Sequence, residues 1–418
     1  MSVRFRPRDT FVLGIVSQAA YTLPPESCFD FFMDKLHTAT ISSLAHGGYG
    51  VCRITGQVCF VAYGLPGDVI RVRVIKESKG VLWGIIDSLL EPSPDHIEPP
   101  CPKFDAGGGC GGCMWMHFAY PAQAQWKRRI VRDCLERIAK LDIEVGWEED
   151  AELRLGWRTR AEFHAAEGRF GFYALGSHEI VDIEECPLCH DNLNRVLERL
   201  RGLPIRGSVE VVVNPEGPEV LIAAKHPHRS LREAFEWVNA LDDEKPHQFL
   251  FDGVPIVNGA FSQSSLLLNR LLVGIVNRMV GDAKSVLDLY CGNGNLSLQL
   301  PGQVRVLGLD HNRRAVRAAN EIGRGTYQAG DESDFRRALK EPWDAVILDP
   351  PRTGAKTIIA ALADTPCTSI VYVSCDPATL ARDLRGLVDR GCRLVEAVAV
   401  DLFPNTAHVE TVSRLERG

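Results

Sequence analysis

Apolar and polar positions along the chain change period three times. From Lys35 to about Ser93, short alternating runs (Thr38–Ser42, Gly50–Ile54, Val58–Tyr63, Val69–Ile75 and Gly80–Ile86) are separated by glycine- or proline-bearing turns. Period-two runs between such turns predict strands, and five at this spacing predict a small barrel of the OB type. Such barrels bind single-stranded nucleic acid as often as they serve as plain structural modules. The stretch EPSPDHIEPP at 91–100 is acidic, proline-rich and aperiodic, and predicts a linker. From about Pro121 to Leu141, Ile130, Val131, Leu135, Ile138 and Leu141 recur at helical spacing. The opposite face carries Lys127, Arg128, Arg129, Arg132, Arg137 and Lys140, which predicts a basic helix facing solvent or RNA. Residues 155–185 and 205–250 predict an antiparallel sheet, and from Gly253 onward strands alternate with helices, the pattern of a parallel sheet.

Composition narrows the class. The chain has 418 residues, 45% apolar and 24% charged, which suits a soluble globular protein of several domains. Its net charge of −7 means that any nucleic-acid contact must come from local basic surface. No run approaches the roughly 18 apolar residues of a membrane span, and Phe11–Val16 is too short for a signal peptide core. The expectation is a cytoplasmic monomer with no membrane association, with Met33 as an alternative start. Thirteen cysteines, an odd and unevenly placed set, point to metal and catalytic work in a reducing compartment rather than to a disulfide framework.

The candidate chemistry lies in the β-α alternating half. SVLDLYCGNGNLSLQL (285–300) is a strand, a glycine turn and a helix start, so the backbone at Gly292 and Gly294 can pass close to a ligand. A second strand ends at Asp310, where a carboxylate would meet ribose hydroxyls. The dinucleotide fingerprint is absent, since Leu296 and Ser297 follow Asn295; a nucleoside-type cofactor, S-adenosylmethionine, fits better. Strand DAVILDPPR ends at Asp349, strand IVYVS delivers Cys375, and HVETVSRLER carries Glu410. A strand-end cysteine is ordinarily packing and Glu410 ordinarily an exposed strand residue; three acids and a thiol at one sheet edge are not what core packing requires. Elsewhere, Cys110/Cys113 and Cys186/Cys189 form two Cys-x-x-Cys pairs, for which spacing alone favours zinc.

From about residue 36 to 417 the chain resembles the RNA 5-methyluridine methyltransferases, in the branch acting on 23S ribosomal RNA. The resemblance rests on the TRAM-like barrel segment, CGGC with VDIEECP, FSQ, DLYCGNGN, DPPR, VSCDPATLARDL and FPNTAHVETV, all in family order. It implies a Rossmann-like S-adenosylmethionine-dependent methyltransferase domain at 251–418, a TRAM/OB-like barrel at 35–95, a central α+β iron–sulfur domain at 98–250 and an extension at 1–34. It implies Cys375 as nucleophile and Glu410 as base, with cofactor contacts from Gln263, Tyr290, Asn295, Asp310, Asp331 and Asp349. The family usually has Phe at Tyr290, Glu at Asp310 and often Asn at Asp331, and the Asn expected two residues after Gln263 is missing. The resemblance further implies a [4Fe–4S] cluster on Cys101, Cys110, Cys113 and Cys186, with zinc on both pairs as the alternative. The upstream spacing is Cys-x8-Cys, with glycines absorbing the added length. Transfer RNA is the alternative substrate. A non-catalytic iron–sulfur RNA binder and an amino-methyltransferase of the Asp-Pro-Pro type are rival readings, the latter weakened by Arg352 in place of an aromatic residue.

Overall fold

The structure, a computed structural model, describes residues 36–105 and 109–417. The 1–34 extension, and Gly107 and Gly108 of the glycine run, lie outside the described residues.

Residues 36–91 form a six-stranded sheet curled about its own core. Its order is Leu36–Thr40, Val69–Ser78, Val81–Glu91, Gln57–Val61, Gly50–Ile54, Ser43–Leu44, and the first strand lies against Gly50–Ile54. The alternating residues that predicted these strands supply the core: Ile41, Cys52, Ile54, Cys59, Val61, Ile70, Val72 and Val74 are buried together. Bulges in the pairing of the two longest strands provide the bending that curling needs. Buried Asp68 accepts hydrogen bonds from the backbone N–H of Leu65 and Ser93, at 2.7 and 2.8 Å, and lies 2.8 Å from His96 Nε2, which ties the linker to this sheet.

A second six-stranded sheet spans Arg160 to Ala240. It is antiparallel except for Val220–Ala224, which pairs in parallel with Trp237–Ala240. Helix Asp191–Arg201 covers one face through Leu193, Val196, Leu197 and Leu200.

The third sheet has eight strands, in the order Thr326–Ala329, Arg305–Asp310, Ser285–Leu289, Trp343–Leu348, Cys367–Ser374, Glu410–Arg417, Cys392–Val400, Val145–Glu148. The first five run parallel and Glu410–Arg417 is antiparallel to its neighbours. The result is a Rossmann-like mixed α/β sheet. Its central strands read as continuous apolar runs because helices cover both faces; Val346, Ile347, Val371 and Val373 are fully buried.

Two expectations about the basic helix are corrected. It is α-helical over Tyr120–Cys134, continues as a π turn over Leu135–Ala139 and stops at Lys140, whose φ is 60°. Together with strand Val145–Glu148 it belongs to the large sheet rather than to the central unit, because Val131, Leu135, Ala139 and Val145 enter the same core as Leu380 and Leu384. Lys127 does not face solvent. It is fully buried, with Nζ 2.7 Å from Asp401 Oδ1 and 3.0 Å from the Phe403 carbonyl. Helical periodicity cannot distinguish a solvated lysine from one that finds a buried carboxylate. Several other cations of this helix sit in exposed ion pairs, Arg128 with Glu144 and Arg137 with Asp133 among them.

Replacing one member of a buried ion pair leaves the other charge unmatched, at a cost of about 3–5 kcal/mol. Lys127→Ala is therefore expected to lower the thermal unfolding midpoint sharply, whereas Arg128→Ala, which breaks an exposed pair, changes it little. Equal shifts for the two variants would contradict this assignment.

Candidate active site

Five strand ends meet along the carboxyl edge of the large sheet. Strand Ser285–Leu289 feeds a turn in which Gly292 and Gly294 have φ of 54° and 77°. Only glycine takes such angles at little cost, and a Cβ on Gly294 would lie 2.8 Å from Leu298. Tyr290 also has positive φ, at 60°, and its ring stands edge-on to Phe335 at 5.0 Å. Asp310 ends the next strand and accepts from the N–H of Gly292 at 3.0 Å and of Asn312 at 2.7 Å, so it fixes the turn that faces the ligand space. Asn295 is paired amide to amide with Asn269, at 2.7 and 3.0 Å. Asn269 was not identified from the sequence, although it sits on the helix just after FSQ. Gln263 is buried in the loop that Arg160 holds through the Ser262 carbonyl. Asp331 follows Gly330, whose N–H donates to the Asp310 carbonyl at 3.0 Å. It is exposed, and it caps helix Glu332–Ala338 in a reciprocal capping box with Asp334, a sufficient structural reason for its place in the sequence.

Asp288, beneath the turn, is another group that sequence reasoning missed. It is fully buried and accepts from Ser297 Oγ at 2.5 Å. Burial first, then the charges of Asp349 and Asp310, push it up to about 7 against that hydrogen bond. Asp349, at the end of strand Trp343–Leu348, is likewise pushed up to about 7 by burial and by Asp310.

Cys375 and Glu410 are brought together by strand register. Ser374 pairs with Thr411 in the antiparallel ladder, so one step further Cys375 stands opposite Glu410. Glu410 is buried, and its carboxyl is held far above the ordinary range by burial and then by Asp349, against Arg352. The Cys375 thiol is pushed up to about 12 by burial and then by Glu410; the Arg352 charge and its hydrogen bond to the sulfur act in the opposite direction. Arg352 was quoted from the sequence without a role, and the structure gives it this contact. The site therefore holds a half-buried thiol, a guanidinium that favours its thiolate against burial, and a buried carboxyl whose protonated form is favoured.

Around the cysteine pairs, Cys101, Cys110, Cys113 and Cys186 line one cavity with Met116, Phe172, Leu188, Lys103 and Arg158. Cys189 lies behind it, and the hydrogen bond from Cys189 lowers the Cys186 thiol to about 6 despite burial. Among the described residues, no group of three or more His, Cys, Asp or Glu side chains is arranged to hold a metal ion. The four thiols thus share one small, largely apolar cavity.

Because the thiolate is the reactive form, the raised Cys375 thiol predicts that its alkylation by iodoacetamide keeps accelerating with pH up to about 10. A plateau near the ordinary thiol value of about 8.5, read by peptide mass spectrometry, would contradict the electrostatics described here.

Comparison with known proteins adds four findings. A family model described as tRNA (uracil-5-)-methyltransferase matches residues 338–418, which contain Asp349, Arg352, Cys375 and Glu410. The 23S rRNA (uracil(1939)-C(5))-methyltransferase of Chromohalobacter salexigens is 34% identical over 90% of this chain and 89% of its own length. An RNA methyltransferase of Halalkalibacterium halodurans, of uncharacterized specificity, is 30% identical over 90% of this chain and 96% of its own. The crystal structure of Pyrococcus abyssi tRNA (uracil-54, C5)-methyltransferase in complex with S-adenosyl-L-homocysteine superposes with a TM-score of 0.71, at 24% identity, over 90% of this chain and 99% of that one. Two relatives of this identity, matched over nearly their whole length, and a family model lying on the strands that carry the thiol and the carboxyl place this chain in the RNA uracil-5-methyltransferase family.

Proposed function

We propose that the protein methylates carbon 5 of a uridine in 23S ribosomal RNA, using S-adenosylmethionine, with Cys375 as nucleophile and Glu410 as base. The observation that carries this reading is the register that sets Cys375 opposite Glu410, beside Arg352 and Asp349. Ribosomal RNA is favoured by relatives such as that of Chromohalobacter salexigens. Transfer RNA stays as the second reading, because the matched family model carries that substrate in its description.

Carbon 5 of uracil is too weak a nucleophile to take a methyl group unaided. The Cys375 thiolate, favoured by Arg352, adds to carbon 6 and forms a carbon–sulfur bond, which makes carbon 5 an enolate carbon. S-adenosylmethionine supplies the electrophilic methyl group and leaves as S-adenosylhomocysteine. Glu410 then removes the carbon 5 proton, and the electron pair expels the Cys375 thiolate. A carboxylate whose proton affinity is raised by burial suits that last transfer. The turn at Tyr290–Asn295, with Gln263, Asp310 and Asp349, would hold the cofactor. Asp331 joins this set through the family resemblance alone, its side chain being engaged as a helix cap. The target uridine must leave its stack to reach a half-buried thiol, and the curled N-terminal sheet, TRAM-like in sequence, is the RNA-binding unit of this reading. Cys101, Cys110, Cys113 and Cys186 would hold a [4Fe–4S] cluster; methyl transfer to uracil needs no redox step, so its part is structural.

With methyl-labelled S-adenosylmethionine and unmodified RNA, label is expected in 5-methyluridine of 23S RNA, and Cys375→Ala reduces it by about 10³-fold or more. Label confined to transfer RNA would overturn the substrate assigned here, and full activity of Cys375→Ala would overturn the mechanism. Glu410→Gln is expected to accumulate a covalent, methylated protein–RNA adduct, visible as a slowly migrating band in denaturing gels; rapid turnover by this variant would exclude Glu410 as the base.

A further inference from the structure

A turn of the curled N-terminal sheet, Ala45–Tyr49, meets the catalytic edge; it is closed by hydrogen bonds from Ala45 N to Tyr49 O and from Gly48 N to Ala45 O, both 2.9 Å. Gly48 has φ +83°, and a Cβ there would lie 2.2 Å from Ala407 Cβ, so the turn is pressed against the loop that leads into Glu410. Trp115 Nε1 donates to the Gly48 carbonyl at 3.1 Å and fixes it there. From this turn His46 reaches the residue next to the nucleophile: its Nε2 is 3.1 Å from Asp376 Oδ2, with only 15% and 12% of the two side chains exposed.

Asp376 divides its two oxygens between two tasks. Oδ1 caps helix Pro377–Val388, accepting from Thr379 N at 2.8 Å with the Thr379 hydroxyl also at 2.8 Å. Oδ2 is left for His46. The Thr379 hydroxyl is also 3.0 Å from the Arg352 carbonyl, and Arg352 is the residue whose guanidinium meets the Cys375 sulfur. A contact path therefore runs from the N-terminal sheet through His46, Asp376, Thr379 and Arg352 to the thiol. Burial disfavours a charge on Asp376, yet the hydrogen bond from His46 and those from Thr379 hold its carboxyl below the usual range, so the acceptor in this path is a carboxylate.

We propose that His46 is a positioning residue for methyl transfer: by holding Asp376 it fixes the Ser374–Pro377 turn, and so makes a docked N-terminal sheet a condition for a competent nucleophile. This inference rests on the proposed role of Cys375. Its specific content is that, among the contacts holding the N-terminal sheet to the catalytic edge, the His46–Asp376 hydrogen bond is the one that bears on the thiol.

The test compares His46→Ala and His46→Gln in the full-length protein, since a glutamine amide can still donate to Asp376. His46→Ala is expected to lower kcat about 10-fold or more, equivalent to about 1.4 kcal/mol, with S-adenosylmethionine affinity within about twofold, and to quicken iodoacetamide alkylation of Cys375 as the turn is released. His46→Gln is expected to recover most of both effects. A kcat for His46→Ala within about twofold of the parent, or an equal loss in both variants, would overturn the proposal. If the parent protein methylates no uridine, the functional reading fails instead. The alkylation rates still decide on His46 in that case, and identical rates in the parent and His46→Ala would reject it.

Discussion

A fully buried ion pair organises the catalytic half of this protein. Lys127 and Asp401 lie in contact with no exposure to water, and neither charge is tolerable without the other. Asp401 starts the loop that leads from strand Cys392–Val400 to Glu410. Its second oxygen accepts from the Tyr120 hydroxyl at 2.8 Å, and Lys127 also holds the Phe403 carbonyl. One helical turn away, Gln123 exchanges hydrogen bonds with Asn405, whose φ of 65° marks the sharpest point of that loop. Helix Tyr120–Cys134 thus shapes the loop that sets where Glu410 enters its strand, and the ladder does the rest by aligning Glu410 with Cys375.

The second constraint is electrostatic. Asp288, Asp310, Asp349 and Glu410 crowd one sheet edge, with Arg352 the cation that faces the thiol. Burial, and then mutual repulsion, raise Asp288 and Asp349 to about 7 and Glu410 well above its ordinary range, so this edge resists carrying full negative charge. Burial first, and then Glu410, likewise push the Cys375 thiol up, while Arg352 acts in the opposite direction. A site of this kind draws its reactivity from what binds in it.

Much of this was legible in the sequence, for reasons of period and chemistry. Strands of the N-terminal sheet were visible because one face of each is buried and the other is not. The sheet edge was visible because Asp310 and Asp349 directly follow apolar runs and Cys375 follows one after a single serine. Less accessible were features joined by three-dimensional pairing between distant segments. Lys127 counted as one more cation on a basic face, although its partner lies 274 positions away. Asn269, Asp288 and His46 acquire meaning only from Asn295, the glycine turn and Asp376, respectively. Asp331, whose family position suggests a ligand contact, also caps helix Glu332–Ala338, a task its sequence position did not announce. The helical run predicted over about Pro121 to Leu141 spans Tyr120–Ala139, but the change to a π turn at Leu135 left no mark on the apolar spacing.

The central claim, that Cys375 bonds covalently to carbon 6 of a uracil before carbon 5 is methylated, is most directly tested with RNA in which 5-fluorouridine replaces uridine. Fluorine cannot be removed as a proton is, so Glu410 has nothing to take and the adduct cannot collapse. The account predicts a stable protein–RNA complex that carries the transferred methyl group, forms only with S-adenosylmethionine, and maps to the peptide containing Cys375. A methylated product with no trapped complex, or a complex attached to any other residue, would contradict it.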